Sequence, residues 1–170
     1  PSNGFAQFYR TSAAVREKLV GKSYSKPALL VATEHDSVVD VDFVRQTFAA
    51  QFTHPASRMI WYGNLGNLGN QETSEPRVLV QPDRLEALRI SEFSHMSVLF
   101  SPTNPLYGRE GSQRMCNNGQ DSEDLKQCEA GAEVWYSDWG YTEAGKVHAR
   151  LTFNPYFEWQ AEVMAGVIDG

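Results

Sequence analysis

The clearest pattern in the chain is an uninterrupted run of apolar residues at positions 28–32, which begins directly after Pro27. A run of this length is too short to span a membrane and is typical of parallel strands that are buried on both faces. It ends in a polar turn that contains Asp36, and in open α/β sheets the functional groups lie just beyond the carboxyl ends of the strands. The pattern therefore predicts an α/β fold with a central strand at 28–32 and a candidate functional acid at its end.

Apolar residues at helical spacing on both sides of this strand predict two flanking helices. The first helix ends near Gly21 and is expected to cover one face of the sheet. Its pattern is formed by Phe5, Phe8, Tyr9, Ser12, Ala13 and Arg16. The second helix begins after Asp40, which has the side chain of an N-cap, and it ends before the break at His54 and Pro55. Its apolar positions are Val41, Val44, Phe48 and Phe52.

The rest of the chain predicts shorter elements between long loops. A second strand is predicted at 58–62, beside the first. Two short strands, at 78–80 and 88–90, are expected to pair across the Pro82 turn. The aromatic cluster at 134–141 is expected to pack in the core.

The end of the chain predicts a strand at 147–153 and then a closing helix at 154–168, with Asn154 as its N-cap. The expected apolar face of that helix consists of Phe157, Ala161, Met164 and Ile168.

Composition and charge exclude several classes of partner. The 170 residues carry a net charge of -6 without a run of Lys or Arg, which argues against a nucleic acid or an anionic membrane surface. No apolar run approaches the roughly 20 residues that a transmembrane helix needs. No Gly-rich phosphate-binding loop joins a strand to a helix, so the sequence indicates no nucleotide cofactor.

Two cysteines, Cys116 and Cys128, bracket a polar segment that has little to pack. A disulfide closing this loop would stabilise the fold by about 3 kcal/mol, and it would favour an oxidising, extracytoplasmic compartment. The alternative is two free thiols in a cytosolic protein. The spacing is too long for a C-x-x-C zinc site and no histidine lies near.

Two local patterns resemble the α/β-hydrolase family. The run 28–32 followed by Asp36, Ser37 and a β-branched pair resembles the strand and loop that carry the catalytic acid of that family. The segment 94–98, Ser-His-Met-Ser-Val, resembles its histidine loop, and the order of acid and histidine also agrees. The resemblance implies a parallel sheet, Asp36 and His95 as triad acid and base, and a small-molecule ester or amide substrate. We expect no cofactor and no metal at this site.

The third member of that triad, the nucleophile, has no match in this chain. The family's elbow reads G-x-S-x-G, whereas the nearest segment, 21–25, lacks the second Gly and precedes the strand. We therefore expect the C-terminal part of a serine hydrolase, whose N-terminal half supplies the nucleophile. The separation of 59 positions between Asp36 and His95 exceeds what the family commonly shows, and an inserted loop accommodates it.

The resemblance indicates one partial domain over 1–170. It would comprise a helix-strand-helix-strand core at 1–62, an inserted loop with short strands at 63–94, a histidine loop with the disulfide-containing segment at 95–153, and the closing helix at 154–168. With few strands beside 28–32, one edge of the sheet would remain open to self-association or to the absent half.

Each candidate residue also has a plainer interpretation. Asp36 alone could be a turn carboxylate, and His95 a loop histidine with ordinary hydrogen bonds. His35 is expected to point away from Asp36, and His54 and His148 are expected at the surface.

A calcium site is disfavoured, because the acidic set lacks the Gly and the last Glu of an EF-hand loop. That set consists of Glu34, Asp36, Asp40 and Asp42. Two function classes remain, namely a carboxylesterase, lipase-like or serine aminopeptidase-like hydrolase and a non-catalytic binding module on the same sheet.

Overall fold

The computed structural model describes residues 2–64 and 75–169, and the Gly/Asn-rich residues 65–74 of the expected insertion lie outside them. Helices and short parallel strands alternate through the first part of the chain, which confirms the α/β class. The helices are α1 (Ser2–Leu19), α2 (Val41–Gln51), α3 (Ser122–Glu129) and α4 (Phe157–Asp169). The strands are β1 (Leu29–Thr33), β2 (Arg58–Tyr62), β3 (Val78–Gln81), β4 (Trp135–Ser137) and β5 (His148–Arg150).

The main sheet has the order β1-β2-β3 and is parallel throughout. The prediction of a central strand at 28–32 is wrong within the described residues, because β2 lies between β1 and β3. Burial agrees with this order, since Met59, Ile60, Trp61 and Tyr62 of β2 are buried, whereas the first three residues of β1 are only half-buried.

The predicted pairing of 78–80 with 88–90 is also wrong. Strand β3 pairs with β2 instead, and Glu86–Leu88 forms a 3-10 turn. Ile90, just after that turn, forms a β-bridge with Tyr136 of β4. It thereby connects the segment that follows β3 to the second sheet, in which β4 pairs with β5.

Two apolar cores lie on the two faces of β2, as the alternation of side chains along a strand requires. Phe48 of α2 packs with Met59 and Trp61 on one face. On the other face, Ile60 and Tyr62 pack with a larger core to which the segment 85–153 and α4 contribute.

Helix α1 does not cover the sheet in the way the sequence predicts. Almost all its described side chains are exposed, and Phe5 and Phe8 are 80% and 73% accessible. Its C-terminal half approaches α2, where Val15 and Leu19 line one side of an apolar groove of about 490 Å³. The amphipathic pattern predicted the helix correctly but not what it packs against.

Helix α4 presents a different face to the core from the predicted one. Met164 and Ile168 are exposed, whereas Gln160 and Val167 are buried. The helix is oriented by hydrogen bonds of Gln160 as well as by apolar packing, and a pattern of apolar residues alone does not contain that information.

The disulfide between Cys116 and Cys128 is present, which confirms that prediction. Helix α3, which contains Cys128, packs beside β5. The expectation that His148 lies at the surface is wrong, since it is only 1% exposed in a strand whose three residues are all buried. Among residues 2–64 and 75–169, the structure has no helix that is both long and apolar enough to cross a membrane.

Candidate active site

The candidate site lies where the parallel strands end, because parallel strands bring their carboxyl ends to the same edge of a sheet. The loop 34–36 follows β1, and Asp83 lies two residues after β3. The backbone N–H of Glu34 donates to the carbonyl oxygen of Tyr62 at 2.8 Å. This bond ties the loop after β1 to the last residue of β2.

The carboxylate of Asp36 is fixed by the loop that carries it. Its Oδ1 accepts the backbone N–H groups of Val38 and Val39 at 2.8 and 3.0 Å. Its side chain is only 8% exposed. The short polar turn predicted from the sequence therefore holds this oxygen in one orientation.

His95 begins the 3-10 turn His95–Val98, which packs against β1. Ser94 caps the turn, since its Oγ accepts the N–H of Met96 at 3.1 Å. The imidazole is 35% exposed, yet its Nδ1 is buried. The exposed part of the ring therefore lies away from Nδ1 and includes the Nε2 edge.

The two residues that the sequence singled out are brought together. Nδ1 of His95 lies 3.5 Å from Oδ1 of Asp36, although 59 positions separate them in the chain. This distance is longer than a well-formed hydrogen bond, and Nδ1 of His95 has no hydrogen-bond partner among the described residues. The arrangement places an imidazole and a fixed carboxylate at the edge where α/β proteins carry their functional groups.

A second histidine–carboxylate group lies beside this pair. Nδ1 of His35 is 2.8 Å from Oδ2 of Asp83 and 3.7 Å from Oε2 of Glu92. The hydrogen bond that His35 donates to Asp83, helped by the charges of Glu92 and Glu34 and opposed by partial burial, raises the pKa of His35 to about 9. Burial, partly offset by the charge of His35, raises the pKa of Glu92 to about 7. His35 is therefore a cation at neutral pH, held by Asp83.

Sequence reasoning missed this second group. A signal for Asp83 was present, because it follows β3 in the same way as Asp36 follows β1. Glu92 gave no signal, since it reaches the site from an irregular segment.

The acidic residues considered for calcium are engaged separately. Glu34 accepts the N–H of Asn64, and Asp40 caps α2 by accepting the N–H of Phe43 at 3.0 Å. Asp42 lies 3.9 Å from Arg45. In the described ranges, no three His, Cys, Asp or Glu side chains are grouped closely enough to hold a metal ion.

In the part of the chain that it describes, the structure shows no nucleophile engaged with the histidine. There, no side-chain hydroxyl or thiol is hydrogen-bonded to His95. Ser23, from the segment set aside as an elbow, is exposed in the connection between α1 and β1.

No protein-family model, no curated protein and no solved structure was found to match the chain.

Proposed function

We propose that Asp36 and His95 are the acid and the histidine of a nucleophile–histidine–acid triad that cleaves carboxylic esters or amides of small molecules. The observation that supports this proposal is the 3.5 Å contact between Asp36 Oδ1 and His95 Nδ1 at the carboxyl edge of a parallel sheet. The fold assigned to the chain under this proposal is the C-terminal part of an α/β-hydrolase sheet.

The two nitrogens of His95 suit the two roles of a triad histidine. Nδ1 is buried beside Asp36, whereas the other edge of the ring is accessible. In a triad, Nε2 takes the proton of the attacking hydroxyl, and the carboxylate keeps the other proton on Nδ1 and stabilises the imidazolium.

The carboxylate is suited to its role because it cannot reorient freely. Two backbone N–H groups hold Oδ1 of Asp36, the same oxygen that faces His95. Hydrogen bonds of catalytic groups are often long without substrate and shorten in the complex, so the 3.5 Å separation is compatible with this role.

Under this proposal, the nucleophile and the oxyanion donors come from polypeptide other than the described residues. A chain with only acid and base is expected to show no turnover of an activated ester above background. The Cys116–Cys128 disulfide supports placing the enzyme in an oxidising, extracytoplasmic compartment.

A non-catalytic binding module is the second candidate, and the exposed apolar residues favour it. Phe5, Phe8, Tyr9 and Val38 are all exposed, and Val38 lies beside Phe5 and Phe8. Exposed apolar patches of this kind mark interaction surfaces.

The deciding experiment measures hydrolysis of an activated ester by the protein that includes the nucleophile-bearing part. We expect His95→Ala to lower kcat by at least about 10³-fold, because the general base is lost. Asp36→Asn should lower kcat by a large but smaller factor, because the carboxylate that fixes the tautomer of the histidine and stabilises the imidazolium is lost. Both variants should fold, since both residues lie in loops.

The matched control is His54→Ala, which removes a histidine from the loop after α2 and should leave kcat unchanged. Normal turnover in His95→Ala would show that the histidine assignment is wrong. Normal turnover in Asp36→Asn as well would exclude Asp36 and His95 as a triad pair, whereas no turnover by the unmodified protein would favour the binding module.

A further inference from the structure

The turn that carries His95 is held from behind by a buried amide on α4. Nε2 of Gln160 donates to the carbonyl oxygen of Val98, the last residue of that turn, at 3.0 Å. Its Oε1 accepts from the hydroxyl of Tyr62 at 3.0 Å and from Nδ2 of Asn154 at 3.1 Å. Gln160 is 7% exposed, and Tyr62 and Asn154 are fully buried. Both ends of the amide are therefore used where water cannot replace a lost partner.

The chemistry of the partners fixes the orientation of this amide. A backbone carbonyl can only accept, so the atom facing Val98 must be the nitrogen. Burial raises the pKa of Tyr62 to about 12, so its hydroxyl keeps its proton at neutral pH and donates to Oε1. The same hydroxyl accepts from Nδ2 of Asn154 at 3.0 Å.

This network connects both halves of the candidate site. The carbonyl oxygen of Tyr62 accepts the N–H of Glu34, which starts the loop to Asp36, while its hydroxyl bonds the amide that holds the His95 turn. The N–H of Asn154 also donates to the carbonyl of Phe100, just after that turn, at 2.8 Å. Tyr62, at the end of β2, is thus connected by hydrogen bonds both to the loop that carries Asp36 and to the residue that holds the His95 turn.

We propose that Gln160 is a positioning residue that fixes the His95 turn relative to Asp36, by spanning Tyr62 and Val98. The catalytic meaning of this role rests on the proposed function. The structural role concerns only the contact between the imidazole and the carboxylate. A glutamine suits the position because one planar group supplies an acceptor toward Tyr62 and a donor toward Val98.

Removing the amide should loosen the contact between His95 and Asp36. Gln160→Met keeps the length and removes both functions, so the carbonyl of Val98 and the hydroxyl of Tyr62 lose a buried partner. The turn then moves to satisfy its carbonyl, and the carboxylate acts less strongly on Nδ1. The proton of the neutral ring should consequently be less confined to Nδ1.

The test is a double-mutant cycle read by ¹⁵N NMR on the 170-residue chain. The ¹⁵N chemical shifts of Nδ1 and Nε2 report the ratio of the two neutral tautomers of His95. The two resonances are assigned to His95 by their loss in His95→Gln. We expect Asp36→Asn and Gln160→Met each to lower the ratio of Nδ1–H to Nε2–H about threefold or more, and the double variant to add little, since coupled sites are not additive. An unchanged ratio in folded Gln160→Met, or fully additive effects, would overturn the proposal.

Gln127→Met is the matched control, because it makes the same change at an exposed position of α3. It should leave the ratio unchanged, and an equal change there would count against a specific role for Gln160. If Gln160→Met does not fold, Gln160→Asn keeps the amide but is too short to span both partners, and it should show the same lowered ratio. An unchanged ratio in folded Gln160→Asn would overturn the proposal in the same way.

This measurement does not depend on turnover. A chain without hydrolase activity can pass it, and an active hydrolase can fail it. The two proposals therefore fail in distinguishable ways.

Discussion

At the scale of single residues, the environment of each histidine is set by the groups that the fold brings to it. His35 pairs with Asp83, His95 contacts Asp36, and His148 is buried with its Nδ1 3.1 Å from Oγ of Ser137. The sequence neighbours of these histidines do not determine those partners. The pKa of His35 is raised and that of His148 is lowered, so these two histidines should respond differently to pH.

The buried His148 should make the fold sensitive to acid. Burial lowers its pKa in the folded state, the charge of Lys146 adds a smaller decrease, and the charges of Glu143 and Asp124 oppose both. Below about pH 6.5, His148 therefore binds a proton more readily in the unfolded chain than in the folded one. Its contribution to the free energy of unfolding falls as pH decreases, by at most about 1.4 kcal/mol per pH unit.

Denaturant unfolding between pH 7 and 5 checks this expectation. His148→Gln cannot titrate and can still bond Ser137, so its free energy of unfolding should fall less steeply than that of the parent chain. Equal slopes in both proteins would show that His148 is not the acid-sensitive group.

Part of the candidate site could be predicted from the sequence, and the limit has a physical reason. Asp36 and His95 were identifiable because each lies in a local pattern that places it in a loop. The Asp83–His35 contact and the role of Gln160 depend on residues that meet only in the folded chain. A polar residue on a mostly apolar helix gives no local signal of its partner.

At the scale of elements, the sequence predicted the positions of strands and helix starts more reliably than the packing between elements. The strands 29–33 and 58–62 and the start of α2 agree with the sequence, because they depend on short apolar runs and on a cap. Tertiary contacts decide which strand pairs with β3, what α1 packs against and which face of α4 points to the core. Those are the elements for which the predictions were wrong.

The cap of α2 gives a prediction at this scale. Oδ1 of Asp40 accepts the N–H of Phe43, so Asp40→Ala leaves an end donor of the helix unsatisfied and should lower the free energy of unfolding by about 1 kcal/mol. Asp42→Ala, in the first turn but largely exposed, is the control and should cost no more than about 0.5 kcal/mol. Thermal and denaturant unfolding measure both, and equal losses would show that charge near the helix start, and not the cap, is what matters.

At the scale of the whole molecule, the main sheet combines a buried middle strand with two outer strands whose outer edges are unpaired among the described residues. Strand β2 is paired on both sides, whereas no strand pairs with the outer edge of β1 or of β3 within 2–64 and 75–169. Exposed strand edges are templates for pairing with other chains. Phe5 and Phe8 of α1 are exposed and lie near Val38, which belongs to the loop that follows β1.

We therefore expect the 170-residue chain to self-associate through the edge of β1. The carbonyl of Ala28 and the N–H of Glu34 bond to β2, so the alternation of a parallel ladder turns the N–H groups of Leu29 and Val31 toward the open edge. Leu29→Pro removes one of these donors at the first residue of the strand, where proline is tolerated, and should weaken association. Val80→Pro makes the equivalent change on the open edge of β3 and is the matched control.

Sedimentation velocity over a dilution series, with circular dichroism to verify folding, decides between the outcomes. The parent chain and Val80→Pro should sediment faster at higher concentration, because β1 remains free to pair, whereas Leu29→Pro should remain closer to a monomer. A parent chain that sediments as a monomer at every concentration would contradict the expectation. Equal association of all three proteins would exclude the β1 edge and would point to the exposed apolar residues of α1 as the contact.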